Sequence, residues 1–278
     1  MTELSPGDLR YDNIGYFSWA AAKRRPQGTA LIDLSRAEPV EVSYGRLEER
    51  LDRFARLTAR LGLKPGDRLA MSIGNRYEFI EIMYGAMRAG VVPVPLNTRL
   101  GAEVLDYILR DSACAAAVVE PAANPGFLAV AERVIPERRL ALGDAPAGWL
   151  DYERELQATP AAFDPPRLAG DHPSFQPYTS GSTGRPKGVI LTHAGQMWWI
   201  RLCHRYWPMQ ESDRALTAVP LYHKNAMAGA IKTVLHAGAS TVILPNFEPR
   251  RFLETLSRYR CTHTGGVPSV FTRLLQER

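Results

Sequence analysis

The sequence predicts an α/β fold in which a mainly parallel sheet is covered by helices. The first observation is that helical and strand-like segments alternate, with short connections, between residues 43 and 119. The second is that runs such as Val91–Pro95 are short and apolar, which is typical of buried strands. The third is a composition of 45% hydrophobic and 23% charged residues, which is ordinary for a globular protein.

The first part of the chain predicts three helices and three strands. Ser43 has the side chain of a helix N-cap, and apolar residues follow it at helical spacing, at Leu47, Leu51, Phe54, Leu57 and Leu61. Gly62 ends this helix, and the Lys-Pro-Gly-Asp stretch at 64–67 forms a turn. The elements that follow are predicted at Arg68–Ile73 (strand), Tyr77–Arg88 (helix), Val91–Pro95 (strand), Ala102–Arg110 (helix) and Ala115–Val119 (strand).

The composition of the sequence changes between Pro121 and Pro177. Prolines and alanines accumulate there and periodicity weakens, so irregular structure is predicted. Asp164-Pro165-Pro166 cannot continue a helix, which places a lobe boundary near residues 165–172. We therefore predict a first α/β lobe over residues 1–168 and a second, incomplete lobe over 169–278.

The second lobe again alternates strands and helices. Thr192 is suited to cap a helix that contains Met197 and Ile200. The nearby aromatic residues Trp198, Trp199, Tyr206 and Trp207 are predicted to lie in the core or between the lobes, rather than to stack on bases. The other elements are predicted at Ser174–Thr179, Gly188–Leu191, Ala215–Pro220, Ser240–Leu244 and Thr262–Gly265 (strands) and at Met227–His236 and Phe252–Tyr259 (helices).

Charge and cysteine usage argue against several function classes. The net charge is only +5, and the basic clusters at 23–25 and 250–251 are predicted to be solvated, not to bind nucleic acid. The three cysteines lack metal-ligand spacing and are expected to stay reduced in a cytoplasmic protein. The start of the chain has no signal-peptide pattern, and no run of about 18 apolar residues predicts a membrane span.

The stretch from Tyr178 to His193 reads Y-T-S-G-S-T-G-R-P-K-G-V-I-L-T-H and predicts a polyphosphate site. Glycines let backbone N–H groups approach an anion, hydroxyl groups add donors, and a lysine adds charge. These groups belong to Thr179, Ser180, Gly181, Ser182, Thr183, Gly184 and Lys187. The spacing matches neither G-x-x-x-x-G-K-[ST] nor G-x-G-x-x-G. The alternative is a plain surface loop, which the flanking apolar runs and the Pro-Lys-Gly ending disfavour.

This stretch resembles the signature loop of the adenylate-forming superfamily, which includes the acyl-CoA synthetases. Four further motifs resemble the family in its own order along almost the whole chain. They are L-K-P-G-D-R-L-A-M-S-I-G-N at 63–75, Y-G-A-M-R-A-G-V-V-P-V-P-L-N at 84–97, V-P-L-Y-H at 219–223 and G-V-P-S at 266–269. The resemblance implies the N-terminal domain of the adenylate-forming fold, with mainly parallel sheets flanked by helices in two lobes.

The resemblance also implies a reaction in two steps. A carboxylate attacks the α-phosphorus of ATP, pyrophosphate leaves and an acyl-adenylate forms; the thiol of CoA then attacks the activated carbonyl. Residues 179–187 would hold the β- and γ-phosphates, with Lys187 offsetting the charge that builds on pyrophosphate. Mg²⁺ is implied because it bridges such oxygens, and Thr183 is the candidate residue beside it.

The acid-binding side of the site is implied by the V-P-L-Y-H motif. Tyr222 and His223 would lie where the acyl carboxylate meets the adenylate. His223 is the second predicted catalytic residue besides Lys187, and its expected role is to orient the carboxylate by hydrogen bonding. The predicted lining of the acid cavity is Asn225, Met227, Gly265, Gly266 and Val267.

We expect this chain to represent only the N-terminal portion of such an enzyme, without the C-terminal domain. It ends at Arg278, before the family's Y-G-x-T-E-like segment, ribose-binding aspartate, hinge and C-terminal lysine. The expected function is an AMP-forming acid–CoA ligase, and the alternative is a silent fragment or module that binds nucleotide or a partner without turnover. The stretch P-L-Y-H-K-N-A-M favours a fatty or aromatic acid as the substrate. The identity of the acid and the oligomeric state stay open.

Overall fold

The structure, a computed structural model, describes residues 4–5, 7–179 and 184–277. A 3-10 turn lies at Ile14–Tyr16 and a π-helix at Met227–Lys232. The α-helices are α1 Trp19–Arg24, α2 Tyr44–Arg60, α3 Tyr77–Arg88, α4 Ala102–Asp111, α5 Pro125–Val134, α6 Tyr152–Gln157, α7 His193–Tyr206, α8 Lys224–Ala226, α9 Thr233–Ala237, α10 Pro249–Arg258 and α11 Pro268–Gln276. The strands are β1 Thr29–Asp33, β2 Val40–Ser43, β3 Arg68–Ser72, β4 Val92–Pro95, β5 Cys114–Val119, β6 Arg139–Ala141, β7 Leu150–Asp151, β8 Pro173–Phe175, β9 Tyr178–Thr179, β10 Lys187–Gly188, β11 Leu191–Thr192, β12 Arg214–Thr217, β13 Ser240–Ile243 and β14 His263–Thr264.

Two five-stranded sheets organise the described residues, and both are mainly parallel. The first has the order β4-β3-β5-β6-β7, and all of its pairs are parallel. The second has the order β14-β12-β13-β1-β2, and only its β1–β2 pair is antiparallel. The predicted α/β class with parallel sheets flanked by helices is therefore confirmed.

The two sheets do not follow a simple division of the chain. Strands β1 and β2 lie near the N-terminus, yet β1 pairs with β13, where Leu31 lies opposite Thr241. A boundary near residue 168 thus does not separate the sheets. The division into lobes 1–168 and 169–278 stays a prediction about domains.

Helix α2 forms for the local reasons that the sequence indicates. The Ser43 side chain accepts a hydrogen bond from the Arg46 N–H, which caps the first turn as predicted. The predicted stripe is buried through Leu57, whereas Leu61 follows the end of the helix and is only partly buried. This stripe packs on α3, whose predicted bounds agree with the structure.

Gly85 lets α2 and α3 approach closely, and this contact gives a prediction. A Cβ added at Gly85 would lie 2.9 Å from the Phe54 Cβ and 3.0 Å from the Leu51 carbonyl oxygen. Gly85→Ala should therefore destabilise the chain by about 1–3 kcal/mol, although alanine favours helices. Urea unfolding measures the change.

Gly126 provides the matched control for that measurement. It lies in α5, where an added Cβ would meet only the Asn124 Oδ1 at 3.7 Å. Gly126→Ala should stabilise the chain by about 0.5–1 kcal/mol. Equal effects of the two substitutions would contradict close helix packing at Gly85.

The prediction of irregular structure between residues 121 and 177 is wrong for residues 125–157, which contain two helices and two strands, α5, α6, β6 and β7. Residues 158–172 contain no helix or strand, and β8 overlaps the strand predicted at Ser174–Thr179. Pro125 occupies the first turn of α5, where its missing N–H has no intrahelical partner to lose. The strands are two or three residues long, too short for a periodic signal, and depend on pairing with their neighbours.

The prediction that the aromatic residues near α7 lie in the core or between the lobes is also wrong. Trp198, Trp199, Tyr206 and Trp207 are 62%, 45%, 73% and 64% exposed. The buried face of α7 consists of residues 193, 196, 197 and 200. The tryptophans at 198 and 199 fall on the opposite side of the helix, so apolar character alone misplaced them.

In the described part of the chain, no helix is long and apolar enough to cross a bilayer.

Candidate functional site

The predicted phosphate loop connects the two strands of a short hairpin. Strands β9 and β10 pair antiparallel, with Lys187 opposite Thr179 and Gly188 opposite Tyr178. Residues Ser180, Gly181, Ser182 and Thr183 lie outside the described residues. The hairpin thus places Lys187 beside the residue at which the loop begins.

The structure describes both ends of the loop. Gly184 has a φ of +88°, in the left-handed region that a β-branched residue resists. Thr179 and Lys187 are both exposed. Lys187 has no ion pair with any described residue, so its ammonium group is available for an anion.

The hairpin is anchored to the first sheet. The Gln176 N–H donates to the Pro93 carbonyl of β4 at 3.1 Å. The Tyr178 hydroxyl donates to Asp111 Oδ2, at the end of α4, at 2.5 Å. Burial and this carboxylate raise the pKa of Tyr178, so the phenol stays protonated. The loop is therefore held near the carboxyl end of β4, where ligands bind in parallel α/β sheets.

A cavity of about 690 Å³ lies between this hairpin and the segment that carries Tyr222 and His223. Thr179 and Pro186 line it from the hairpin side, and Tyr222, His223 and Asn225 line it from the other side. Its described lining contains no carboxylate, which suits an anionic ligand.

The aromatic pair of the V-P-L-Y-H motif lies in this cavity. The Tyr222 and His223 rings are 4.5 Å apart between centroids. Partial burial lowers the pKa of His223, although its side chain reaches solvent. The imidazole is therefore mainly neutral at pH 7 and can donate one hydrogen bond to a carboxylate without carrying charge.

A second cavity, of about 280 Å³, adjoins the first. Both are lined by Val219, Asn225 and Val267, and the second also contains Gly265 and Gly266. The structure thus brings the predicted acid-lining residues together, with one difference. Met227 is 2% exposed and packs in the core, so it lines neither cavity.

Sequence reasoning missed the contribution of the first sheet to this site. Pro95, Leu96, Asn97 and Leu100 line the larger cavity although they are distant in sequence from the loop. The motif at 84–97 resembles the family and includes three of these residues, but the sequence alone assigns it no role in the site. Their role follows from tertiary structure, because the carboxyl end of β4 lies beside the hairpin.

The described residues do not form a metal centre of their own. No group of three or more His, Cys, Asp or Glu residues converges among them. Thr183, the predicted magnesium neighbour, lies outside the described residues. A cation at this site would depend on phosphate oxygens, which is the usual environment of Mg²⁺.

His193 is buried at the start of α7. It is 1% exposed, its Nδ1 accepts a hydrogen bond from the Ile14 N–H at 3.2 Å, and its Nε2 has no partner among the described residues. Burial, with a smaller contribution from His172, lowers the pKa of His193 to about 3. The residue joins the N-terminal segment to α7 and acts as a neutral structural side chain.

This burial predicts a loss of stability in acid. The unfolded chain takes up a proton at this histidine below pH 6.5, while the folded chain does not, so stability falls as the pH decreases. Between pH 7 and pH 5 this group alone should cost about 2 kcal/mol. Urea unfolding at both values, on the native chain and on His193→Asn, measures the difference, since Asn can still accept the Ile14 N–H. Equal pH dependence in both proteins would contradict the assignment.

The chain is similar to several curated proteins and solved structures. A feruloyl-CoA synthase from Amycolatopsis sp is 32% identical over 263 residues, covering 93% of this chain and 50% of that protein. A long-chain-fatty-acid–CoA ligase from Mycobacterium tuberculosis is 29% identical over 272 residues, covering 95% and 51%. The crystal structure of ATP-bound MatB from Rhodopseudomonas palustris matches with a TM-score of 0.85 at 29% identity, covering 96% and 51%.

The chain spans about half the length of the curated relatives it matches. The profile of the AMP-binding enzymes matches residues 18–278, which is nearly all of it. The phosphate hairpin, the Tyr222–His223 pair and the parallel sheets lie inside the matched region. On this evidence the chain belongs to the AMP-binding enzyme family.

Proposed function

We propose that this chain carries the N-terminal part of the site of an AMP-forming acid–CoA ligase. The observation that carries the proposal is the cavity of about 690 Å³ between the phosphate hairpin and Tyr222–His223. The hairpin side of this cavity offers the hydroxyl groups of Tyr178 and Thr179, and Lys187 lies on the strand paired with Thr179. The other side offers a neutral imidazole beside a smaller, largely apolar cavity. This arrangement suits a triphosphate on one side and a carboxylic acid on the other.

The hairpin side would bind ATP. The loop from Thr179 to Gly184 would contact the β- and γ-phosphates, and Lys187 would stabilise the negative charge that develops on pyrophosphate as it leaves. Mg²⁺ bound with the nucleotide would neutralise phosphate charge, with Thr183 as the residue of this chain beside it.

The other side would bind and orient the acid. His223 would hydrogen-bond the carboxylate and Tyr222 would pack beside it, so that one oxygen faces the α-phosphorus of ATP. Attack forms the acyl-adenylate and releases pyrophosphate. The thiol of CoA then attacks the acyl carbonyl, which yields the thioester and AMP.

The smaller cavity would take the acyl or aryl group. Asn225 and Val267 stand at its junction with the larger cavity, and Gly265 and Gly266 leave space along one wall. The relatives include a feruloyl-CoA synthase and a long-chain-fatty-acid–CoA ligase, so aromatic and fatty acids are the classes to test first. The described lining of the smaller cavity contains no Asp, Glu, Lys or Arg, which suits an apolar acid. We place the reaction in the cytoplasm, where free cysteines such as Cys203 stay reduced.

Isotopic exchange between ATP and pyrophosphate tests the proposal. The native polypeptide that carries this sequence should exchange label only when a suitable acid is added, and a panel of benzoic, cinnamic and fatty acids identifies the class. The 278 residues alone should show almost no exchange. Failure of every acid with the native polypeptide would refute the ligase proposal.

The alternative is a module that binds nucleotide or a partner without turnover. The observation that favours it is that the chain spans only half the length of its relatives. Calorimetry with ATP distinguishes a chain that binds nucleotide from a chain that binds none. Robust formation of CoA thioesters by the 278 residues alone would exclude the alternative.

A further inference from the structure

Asn75 is a buried polar residue that connects the first sheet with the segment Val219–Leu221, which precedes Tyr222 and His223. It lies in the turn between β3 and α3 and is 7% exposed. Its Nδ2 donates to the carbonyl oxygens of Val219 and Leu244, each at 3.1 Å. Its Oδ1 accepts from the Leu221 N–H at 2.8 Å. All three bonds therefore join the turn between β3 and α3 to residues that follow β12 or β13 of the second sheet.

The bonds match an asparagine side chain and no other of similar size. The amide offers two N–H donors and a carbonyl acceptor, and here two backbone carbonyls and one backbone N–H face it. An aspartate would place a carboxylate against two carbonyl oxygens. An alanine would leave three buried backbone groups without a partner.

The segment from Val219 to Leu221 depends on these bonds. Strand β12 ends at Thr217 and α8 begins at Lys224, so no sheet or helix pairing holds the residues between them. Pro220 has no N–H. Among the described residues, Asn75 is the only hydrogen-bond partner of the Leu221 N–H and of the Val219 carbonyl.

The held segment leads directly into the candidate site. Val219 lines both cavities, and Leu221 immediately precedes Tyr222 and His223. A displacement of Leu221 would therefore move the imidazole relative to the phosphate hairpin. The hairpin itself is anchored to the first sheet, through β4 and α4.

We propose that Asn75 is a positioning residue for the acid-binding half of the site. Its hydrogen bonds hold the Val219–Leu221 segment against the same sheet that anchors the phosphate hairpin. Asn75 thereby sets the distance between His223 and the bound phosphates. This inference rests on the proposed function, but its structural part does not require activity.

Hydrogen exchange tests the structural part. In Asn75→Ala the Leu221 amide should exchange at least about 10-fold faster, because its acceptor is removed. The matched control is Asn124→Ala, since Asn124 is 5% exposed, donates to Ser72 Oγ at 2.9 Å and does not contact the 219–223 segment. The Ala117 amide in β5 serves as the internal reference in both variants. Equal Leu221 exchange in the two variants would overturn the inference.

Kinetics of the native polypeptide test the positioning role. Asn75→Ala should lower kcat for acid-dependent pyrophosphate exchange by about 100-fold, with the KM for ATP nearly unchanged, because misplaced reacting groups slow the chemical step. Asn124→Ala should change neither constant once rates are corrected for the folded fraction. An Asn75→Ala variant with faster Leu221 exchange but normal kcat would show a purely structural residue and overturn the proposal. If the unaltered protein exchanges no label with any acid, the ligase proposal fails, and the Leu221 exchange rates still decide whether Asn75 holds the segment.

Discussion

Replacing Lys187 with alanine is expected to lower the rate of acyl-adenylate formation by about 100- to 1,000-fold. Lys187 is exposed on β10, has no ion pair with a described residue and lies opposite Thr179, where the phosphate loop begins. Its ammonium group would therefore stabilise charge on the leaving pyrophosphate. Because the side chain is exposed, the free energy of unfolding should change by less than about 0.5 kcal/mol.

Pyrophosphate exchange by the native polypeptide and urea unfolding together measure this prediction. Lys64→Ala is the matched control, because Lys64 is also exposed but lies in the turn before β3, away from both cavities. A rate in Lys187→Ala equal to that of Lys64→Ala would show that the site is assigned wrongly.

Gly184→Val tests the other end of the same loop. Valine resists the φ of +88° found at Gly184, so the loop backbone should distort even though no atom lies within 4 Å of an added Cβ. We expect weaker ATP binding, measured by calorimetry. Unchanged affinity would indicate that the loop does not contact the phosphates.

The substitution Arg50→Met is expected to lower the free energy of unfolding by about 3–5 kcal/mol. Arg50 is 3% exposed, and its Nη2 donates to Glu81 Oε1 at 2.8 Å and to Glu153 Oε2 at 2.7 Å. Glu81 is fully buried and also accepts a hydrogen bond from the Tyr152 hydroxyl. Removing the guanidinium would leave this carboxylate buried without a cation, and the group joins α2, α3 and α6.

The double variant Arg50→Met with Glu81→Gln distinguishes a buried charge from lost packing. Glutamine keeps an acceptor for the Tyr152 hydroxyl but carries no charge, so the double variant should recover roughly half of the loss. Urea unfolding of the three proteins measures the recovery. Equal destabilisation of the single and double variants would show that the arginine acts through packing alone.

Local chemistry made part of the fold and site predictable. Ser43 caps α2 and α3 spans the predicted residues, because each of these features depends on a few neighbouring residues. The hairpin around the phosphate loop is likewise local. Its two strands are joined by the loop itself, so Lys187 returns beside Thr179.

Non-local pairing explains the predictions that were wrong. Short strands such as β6 and β7 exist because a neighbouring strand supplies their hydrogen bonds, which a proline- and alanine-rich sequence does not reveal. Met227 lies beside the site in sequence but points into the core, and Trp198 is apolar but exposed. In both cases the orientation of a helix against its neighbours decided the position.

From its residues alone, the chain specifies an α/β scaffold, a glycine-, hydroxyl- and lysine-bearing loop and a Tyr222–His223 pair. These are properties of short segments, whose backbone preferences and functional groups can be assigned without knowing what surrounds them. Tertiary structure alone decided that the two segments face one cavity, that β4 contributes to it and that Asn75 holds its far side. The reason is that these contacts join residues distant in sequence, such as Asn75 with Val219 and Leu221, and packing of the sheets, rather than local propensity, brings them together.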